Sequence, residues 1–240
     1  MLLTCLACIA SFSSFTGGTD GVDGLPFMAL STFVNQMVDA KSATEMLDVL
    51  DRAVDGPIFG YTHAKFAYHG LATWKFKVGL TPSEKASPVL PRLAARVQRM
   101  AEDGQFEPRE AGGVLFWLGV LGDHIDVPEG LLMALIKSLR EKPSGSVSEW
   151  WLSNRVWALR ACAKLNFYHE ELLVSVAQHF KSGDALKKQH PIDLFNLLWF
   201  YDVLDSGDKF AEFKNAMKSE RDRRDLRASD WTLHREWLMS

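Results

Sequence analysis

Two asparagines stand at matching positions in two copies of one helical pattern, and they are the leading candidates for a binding role. Asn154 lies in the segment Leu152-x-Asn154-x-Val156-Trp157, and Asn196 lies in the later copy Leu194-x-Asn196-x-Leu198-Trp199. In two-helix repeats that read single-stranded RNA, polar side chains at equivalent helix positions contact one base per repeat. The simpler alternative is structural, with each amide bonded to the backbone of a neighbouring repeat.

Local groups of basic residues are the second set of candidates, because Lys and Arg neutralise the phosphates of RNA. Three arginines share one face of a predicted helix at four- and three-residue spacing, two lysines are adjacent, and a further arginine follows Asn154. These residues are Arg92, Arg96, Arg99, Lys187, Lys188 and Arg155. The basic residues between Arg221 and Arg227 alternate with acidic ones, which is more typical of ion pairs on a solvated face.

An adjacent pair of tryptophans indicates a possible partner contact. Trp150 and Trp151 follow each other in a predicted helix, where successive side chains point about 100° apart. Both therefore rarely reach one core, and exposed Trp is enriched where proteins bind partners. Deep packing of both rings is the alternative.

The remaining reactive residue types form no recognisable catalytic or metal-binding pattern. The seven histidines are scattered, and Cys5-x-x-Cys8 lacks the second ligand pair that a structural zinc site needs. Cys162 lies within a helical pattern, as a small buried residue would. Phosphate-binding glycine loops and the serine-hydrolase elbow are also missing from the sequence. We therefore predict a protein that is not an enzyme and has neither cofactor nor metal.

Charge and length restrict the class of partner. The 240 residues carry a net charge of −3, and residues 1–60 are the most acidic part. Tight, indiscriminate nucleic-acid binders usually show a strong basic excess, so DNA is not an expected partner. Residues 1–16 are largely apolar but too short to span a bilayer convincingly, and they are either a leader or an interaction segment. No membrane span is expected.

The elements that must position these residues are helices in repeated pairs. An apolar triplet recurs in four copies at a nearly constant spacing. The copies are Leu47, Leu50 and Val54; Leu90, Leu93 and Val97; Leu132, Leu135 and Leu139; and Leu173, Val176 and Phe180. The second helix is marked by Trp117, Trp157 and Trp199 in three of the pairs, and residues 64–71 are a more diverged copy in the first pair. Ordered copies with a period of about 41 residues are typical of helical solenoids.

The predicted fold is therefore all-α: an α-solenoid of about four helix-turn-helix repeats with a C-terminal capping helix. Residues 1–41 form an apolar N-terminal segment and a Gly-rich linker, residues 42–207 the helical-repeat domain, and residues 208–240 a charged capping helix. Ser42 and Glu45 have the spacing of a capping box, which predicts the start of the first repeat helix.

The second-helix segment Asn154-Arg155-Val156-Trp157-Ala158-Leu159 resembles that of octotricopeptide repeats, whose degenerate forms occur in FAST-kinase-like and RAP-domain proteins of organelles. Asn196-Leu197-Leu198-Trp199 is similar to the same element, and the resemblance spans about residues 42–206. It implies binding of organellar RNA, more often mitochondrial than plastid, in RNA processing or in a ribosome. Two features depart from the family: the array is short, and a C-terminal RAP domain is not recognisable.

Two functions follow as expectations. The first is a non-catalytic adaptor that binds RNA within a processing or ribosomal complex. The second is a protein–protein scaffold, or an accessory subunit of a large organellar assembly, without direct RNA contact. The near-neutral charge and the many aromatic residues favour the scaffold, whereas the family resemblance and the two asparagines favour RNA.

Overall fold

The structure is a computed structural model that describes residues 25–139, 149–181 and 184–226. Every regular element in these ranges is helical, which confirms the all-α prediction. The α-helices are α1 Leu25–Asp39, α2 Ala43–Ala53, α3 Tyr61–Val78, α4 Pro82–Lys85, α5 Val89–Glu102, α6 Pro108–Leu121, α7 Glu129–Ser138, α8 Glu149–Lys164, α9 Glu170–Phe180, α10 Asp184–Lys187, α11 Pro191–Leu204 and α12 Ala211–Arg223, with a 3-10 turn at Gly122–His124. Cys5, Cys8 and the rest of the segment 1–16 lie outside the described residues.

Local sequence determines where the helices begin. The Ser42 hydroxyl accepts a hydrogen bond from the Glu45 backbone N–H at 3.0 Å, which confirms the predicted cap of α2. The Glu45 carboxylate in turn accepts the N–H of Lys41 at 2.8 Å. These contacts satisfy backbone N–H groups that the helix itself leaves without an acceptor.

Helix α1 lies within the segment 1–41, in a stretch that the sequence pattern leaves without regular structure. Phe33 and Met37 lie one turn apart and are 6% and 7% exposed, so one face of α1 is buried. The helix packs against α2 and α3. Its formation follows from tertiary packing, which supplies most of the stability of a single helix in a protein.

The apolar triplets of the predicted repeats all lie in the core. Each of their side chains is at most 7% exposed, and they come from α2, α5, α7, α9 and the residues that end these helices. Burying one such side chain stabilises a fold by roughly 1.5–3 kcal/mol. The repeated triplet therefore predicts the core-facing stripe of each first helix correctly.

The helices that follow the triplet-bearing helices α2, α5, α7 and α9 also contact one another, each packing on the next along the chain. We call α3, α6, α8 and α11 the second helices; α3 packs on α6, α6 on α8, and α8 on α11. Among the first helices, α2 packs on α5 and α5 on α7. The described residues therefore contain a row of four packed second helices and a row of three packed first helices, whereas α9 packs on α8.

Helices α6 and α8 run parallel, and small residues let them approach closely. Gly112 faces the side chain of Asn154, and Gly119 faces the backbone of Ala161, where an added Cβ would lie 3.0 Å from both N and Cα. The two contacts are about two turns apart on each helix, and they follow in the same order along both, so the helices point in the same direction. The two partners in each contact are separated along the chain by about one predicted repeat period.

Helix α3 runs in the same direction beside α6. Near the start of α6, Gly113 faces the side chain of Lys65. At its end, the Val120 carbonyl accepts a hydrogen bond from the Lys75 ammonium at 2.7 Å. The ends of α3, α6 and α8 are therefore on the same side of the array.

A buried carboxylate fixes the start of the last described helix. Asp205 is 5% exposed and accepts the backbone N–H groups of Lys209 and Phe210, each at 2.9 Å. It also pairs with the ammonium of Lys214, 3.2 Å away. These contacts position α12 against α11. Trp231 and Trp237 of the predicted capping helix lie outside the described residues.

Candidate nucleic-acid interface

Asn154 is buried within the helix packing. It is 3% exposed, its side chain lies against Gly112, and its Oδ1 atom has no hydrogen-bond partner among the described residues. Asn196 is half-buried, and its Oδ1 likewise has no partner in the described part of the chain. Asn154 is enclosed between α6 and α8, where a base edge does not reach it, and among the described residues its Oδ1 does not form the bond to a neighbouring backbone that the structural alternative predicts.

The arginines of α5 lie in the row of first helices. Arg92 forms ion pairs with Asp51, at 2.5 Å, and with Asp55. Arg96 is half-buried and donates to the Phe59 carbonyl at 3.4 Å, whereas Arg99 is exposed in the last turn. The charge of Arg92 is therefore matched by two carboxylates from α2 and the turn after it.

The other predicted site residues lie apart from one another. Arg155 is 8% exposed and donates to the Leu139 carbonyl at 2.9 Å, at the end of α7, and burial lowers its pKa to about 10. Lys187 and Lys188 are exposed at the end of α10. Trp150 and Trp151 lie in the first turn of α8, but their side chains are outside the described part.

A continuous series of aromatic rings crosses the second helices. The His69 ring of α3 stacks on Trp117 of α6, with centroids 4.4 Å apart. Trp117 contacts Phe116 at 4.8 Å, and Phe116 contacts Trp157 of α8 at 5.4 Å. All four residues are half-buried. We call them the ring ladder.

Cations accompany the ring ladder on both sides. The guanidinium of Arg160 lies 5.2 Å from the Phe116 ring centroid, and the Lys164 ammonium lies 5.8 Å from that of Trp199 on α11. On the α3 side, the side chain of Lys65 lies against Gly113 of α6. Burial, followed by the charge of Lys65, lowers the pKa of His69, so this ring is neutral at pH 7.

Basic side chains also gather where α3, α6 and α8 end. Gly122 ends α6 and starts the 3-10 turn. Its φ of 56° and ψ of −130° form a conformation that glycine adopts more readily than other residues. Helix α8 contacts this turn, the Lys75 ammonium donates to the Val120 carbonyl just before it, and the charges of Lys75 and Lys85 act on His124 within it. We call these basic side chains the cation cluster: Lys75, Lys85, His124, Arg160 and Lys164.

A shallow cleft lies between α1, α2 and the start of α3. It is lined mainly by apolar side chains, with Arg52 and His63 among the polar ones. The Nδ1 atom of His63 accepts the backbone N–H of Gly60 at 3.2 Å, and burial lowers the pKa of the imidazole. His63 is thereby engaged in holding the start of α3.

The described residues contain no group of three or more His, Cys, Asp or Glu side chains placed to hold a metal ion. None of their helices combines the length and apolar character needed to cross a bilayer.

The sequence marks only parts of the cation cluster and the ring ladder. Trp117 and Trp157 mark predicted second helices, whereas the cations come from four elements and form no local concentration of charge. The repeat period is the signal that relates them, because residues about one period apart face each other in neighbouring helices. Phe116 and Trp157 are one such pair, and Asp51 and Arg92 are another.

The chain matches no protein-family model, no curated protein and no solved structure.

Proposed function

We propose that this protein is a non-catalytic helical-repeat adaptor that binds single-stranded RNA along its second helices. In this proposal the two rows of helices are an α-solenoid of about four repeats, closed by α12. The parallel packing of α6 and α8, with contacts about one repeat period apart, supports that arrangement. Organellar RNA, in a processing or ribosomal complex, is the ligand that the octotricopeptide resemblance implies.

The observation that carries the proposal is the ring ladder with its flanking cations. Proteins that bind single strands combine aromatic rings, on which bases stack, with positive charge that follows the phosphates. The ladder runs from α3 through α6 to α8, and Arg160 and Lys164 extend the positive charge toward α11. Base recognition in this proposal rests on these rings rather than on Asn154, which is enclosed.

RNA binding is tested by the fluorescence anisotropy of a labelled single-stranded RNA at several salt concentrations. We expect affinity to rise as salt falls, with a slope of about 0.7 in log K per log salt for each phosphate contacted. Trp157→Leu should weaken binding about tenfold, because stacking on one aromatic ring is worth about 1–3 kcal/mol per base.

Two control variants separate this surface from the rest of the molecule. Tyr168→Leu removes an aromatic ring that is 48% exposed and lies outside the ladder. Arg92→Gln removes a cation that is already paired with Asp51 and Asp55. Both should bind RNA like the wild type. Absence of binding at low salt would overturn the proposal, and recovery of stoichiometric protein partners from native extract would then favour the scaffold.

A further inference from the structure

The cation cluster assembles side chains from four elements at one edge of the array. Lys75 comes from the last turns of α3, Lys85 from α4, His124 from the 3-10 turn, and Lys164 from the end of α8. Arg160 lies one turn before Lys164. Because α3, α6 and α8 run parallel, these ends meet on the same side of the molecule.

Contacts to the protein hold the cluster in place. The Lys75 ammonium donates to the Val120 carbonyl at 2.7 Å, which ties the end of α3 to the end of α6. Lys164 lies over the Trp199 ring, and Arg160 lies over the Phe116 ring. Arg160 is 4% exposed, so it adds positive charge from beneath the surface, whereas Lys75 and Lys164 are half-exposed and reach solvent.

Among the described residues, Asp123 is the carboxylate that acts on Lys75, His124 and Lys164. Burial and the charge of Lys164 lower the pKa of Lys75, and burial and Arg160 do the same for Lys164. Burial and Lys75 lower the pKa of His124. The opposing carboxylate, Asp123, has a side chain that is 98% exposed, so solvent weakens its effect.

His124 adds an unused polar atom. Its Nδ1 is buried without a hydrogen-bond partner among the described residues, and its Nε2 lies 3.9 Å from the Asp123 carboxylate, beyond hydrogen-bond distance. The imidazole is therefore held beside ammonium groups without a strong bond to Asp123. The buried Nδ1 is closed to a ligand, so a ligand with several acceptor oxygens would meet the lysine ammonium groups and this imidazole in its Nε2–H tautomer.

We infer that Lys75, Lys85, His124 and Lys164 form a binding site for a phosphate group, with Arg160 supplying positive charge from below. Phosphate oxygens are pure acceptors at high charge density, and lysine ammonium groups bind them as point charges. That this phosphate belongs to RNA rests on the proposed function, because an RNA backbone that followed the ring ladder would reach this edge. A free phosphorylated small molecule presents the same chemistry, and competition with RNA separates the two sources.

The first measurement uses the wild-type chain with pyrophosphate as the probe. Amine acylation followed by mass spectrometry reports how reactive each lysine is. Bound pyrophosphate raises the pKa of nearby ammonium groups and covers them, so Lys75 and Lys164 should lose reactivity at millimolar pyrophosphate. The exposed Lys137 and Lys218 serve as internal controls. Equal reactivity changes at all four lysines would overturn the site.

The second measurement compares two variants with the same change in charge. Lys75→Gln/Lys164→Gln should bind pyrophosphate at least about tenfold more weakly than the wild type, because charged hydrogen bonds are lost. Lys137→Gln/Lys218→Gln should bind it like the wild type. Circular dichroism verifies folding, and the footprint on the wild type decides the question if the first variant unfolds.

Adding RNA to both measurements distinguishes failure of the site from failure of the proposed function. If RNA binds the wild type and the Lys75/Lys164 variant equally, and pyrophosphate protects neither lysine, the site is wrong and RNA binding stands. If pyrophosphate protects both lysines but RNA neither binds nor competes, the site stands with a small phosphorylated ligand, and the proposed function is wrong. Competition between RNA and pyrophosphate for these lysines supports both.

Discussion

Gly113 and Gly119 lie on the same helix but face different neighbours. A Cβ at position 119 would lie 3.0 Å from the backbone of Ala161, which is part of α8 and yields only if the helix moves. At position 113 the nearest atom, 3.1 Å away, belongs to the flexible side chain of Lys65. The two positions therefore give a matched pair for one substitution.

We expect Gly119→Ala to lower the free energy of unfolding by about 1–2 kcal/mol, because overpacking costs about 1–3 kcal/mol and outweighs the gain in helix propensity. Gly113→Ala should raise it by up to about 1 kcal/mol, since propensity dominates there. Urea unfolding of both variants and the wild type measures the difference. Equal effects at the two positions would show that α6 and α8 are not closely packed at Gly119.

At the residue scale, the sequence is informative about burial and less so about the site. The repeated triplets predict buried side chains correctly, because burial is encoded by a local period. The partners of Arg92 cannot be seen locally, since Asp51 and Asp55 precede it in another helix and its following turn. Lys75 and Lys164 are isolated from each other in sequence, and only the packing of three helices brings them together.

At the scale of single elements, the start of α3 depends on a neutral histidine. His63 accepts the Gly60 N–H through Nδ1, and its ring lies 5.1 Å from that of Phe33 and 5.6 Å from that of Phe59. Protonation removes the acceptor and places a positive charge near a helix N-terminus, where it is unfavourable. Burial also lowers the pKa of His63 below its ordinary value of 6.5.

A lowered pKa in the folded state has a definite sign for stability. Below about pH 6.5 the unfolded chain binds a proton that the folded chain does not, so the free energy of unfolding falls as pH drops toward the folded pKa. We expect chemical unfolding at pH 7.5 and pH 5.5 to show this loss. His63→Asn keeps an acceptor near the Nδ1 position but cannot titrate, so it should show a smaller loss.

The control for this measurement is another histidine that caps a helix. His190 is exposed, and its Nδ1 accepts the Ile192 N–H at 3.4 Å at the start of α11. His190→Asn should retain the pH dependence of the wild type. If His63→Asn loses as much stability on acidification as His190→Asn, burial of His63 is not the cause. His69, His124 and His179 also have pKa values lowered first by burial, so some dependence remains in both variants.

Helices with strong local signals are the predictable elements. The cap formed by Ser42 and Glu45 is read directly from their spacing. Helix α1 escapes prediction because its sequence, LPFMALSTFVNQMVD, has neither an acidic first turn nor a basic last turn, and it follows a Gly-rich segment. Its stability comes from packing on α2 and α3, which a local pattern does not contain.

At the scale of the whole molecule, contacts among the described residues run mainly between neighbouring helices. In the proposed solenoid the end elements have neighbours on one side only, and stability declines toward the ends. Hydrogen exchange followed by mass spectrometry should therefore find the slowest amides in α6 and α8, whose mutual contact is the most extensive. Amides of α1 and α12 should exchange fastest among the longer helices, and uniform exchange along the chain would contradict this gradient.

The parallel course of α3, α6 and α8 also gives this row of helices an electrical polarity. Each helix carries about half a positive charge at its N-terminus and about half a negative charge at its C-terminus, and parallel helices add these dipoles. Lys75 and Lys164 lie in the last turns of their helices, at the negative ends. These lysines more than offset the partial charges of the helix ends, so this edge of the array is basic. If RNA binds as proposed, we expect this edge to orient it before contact and its association rate to fall steeply with added salt.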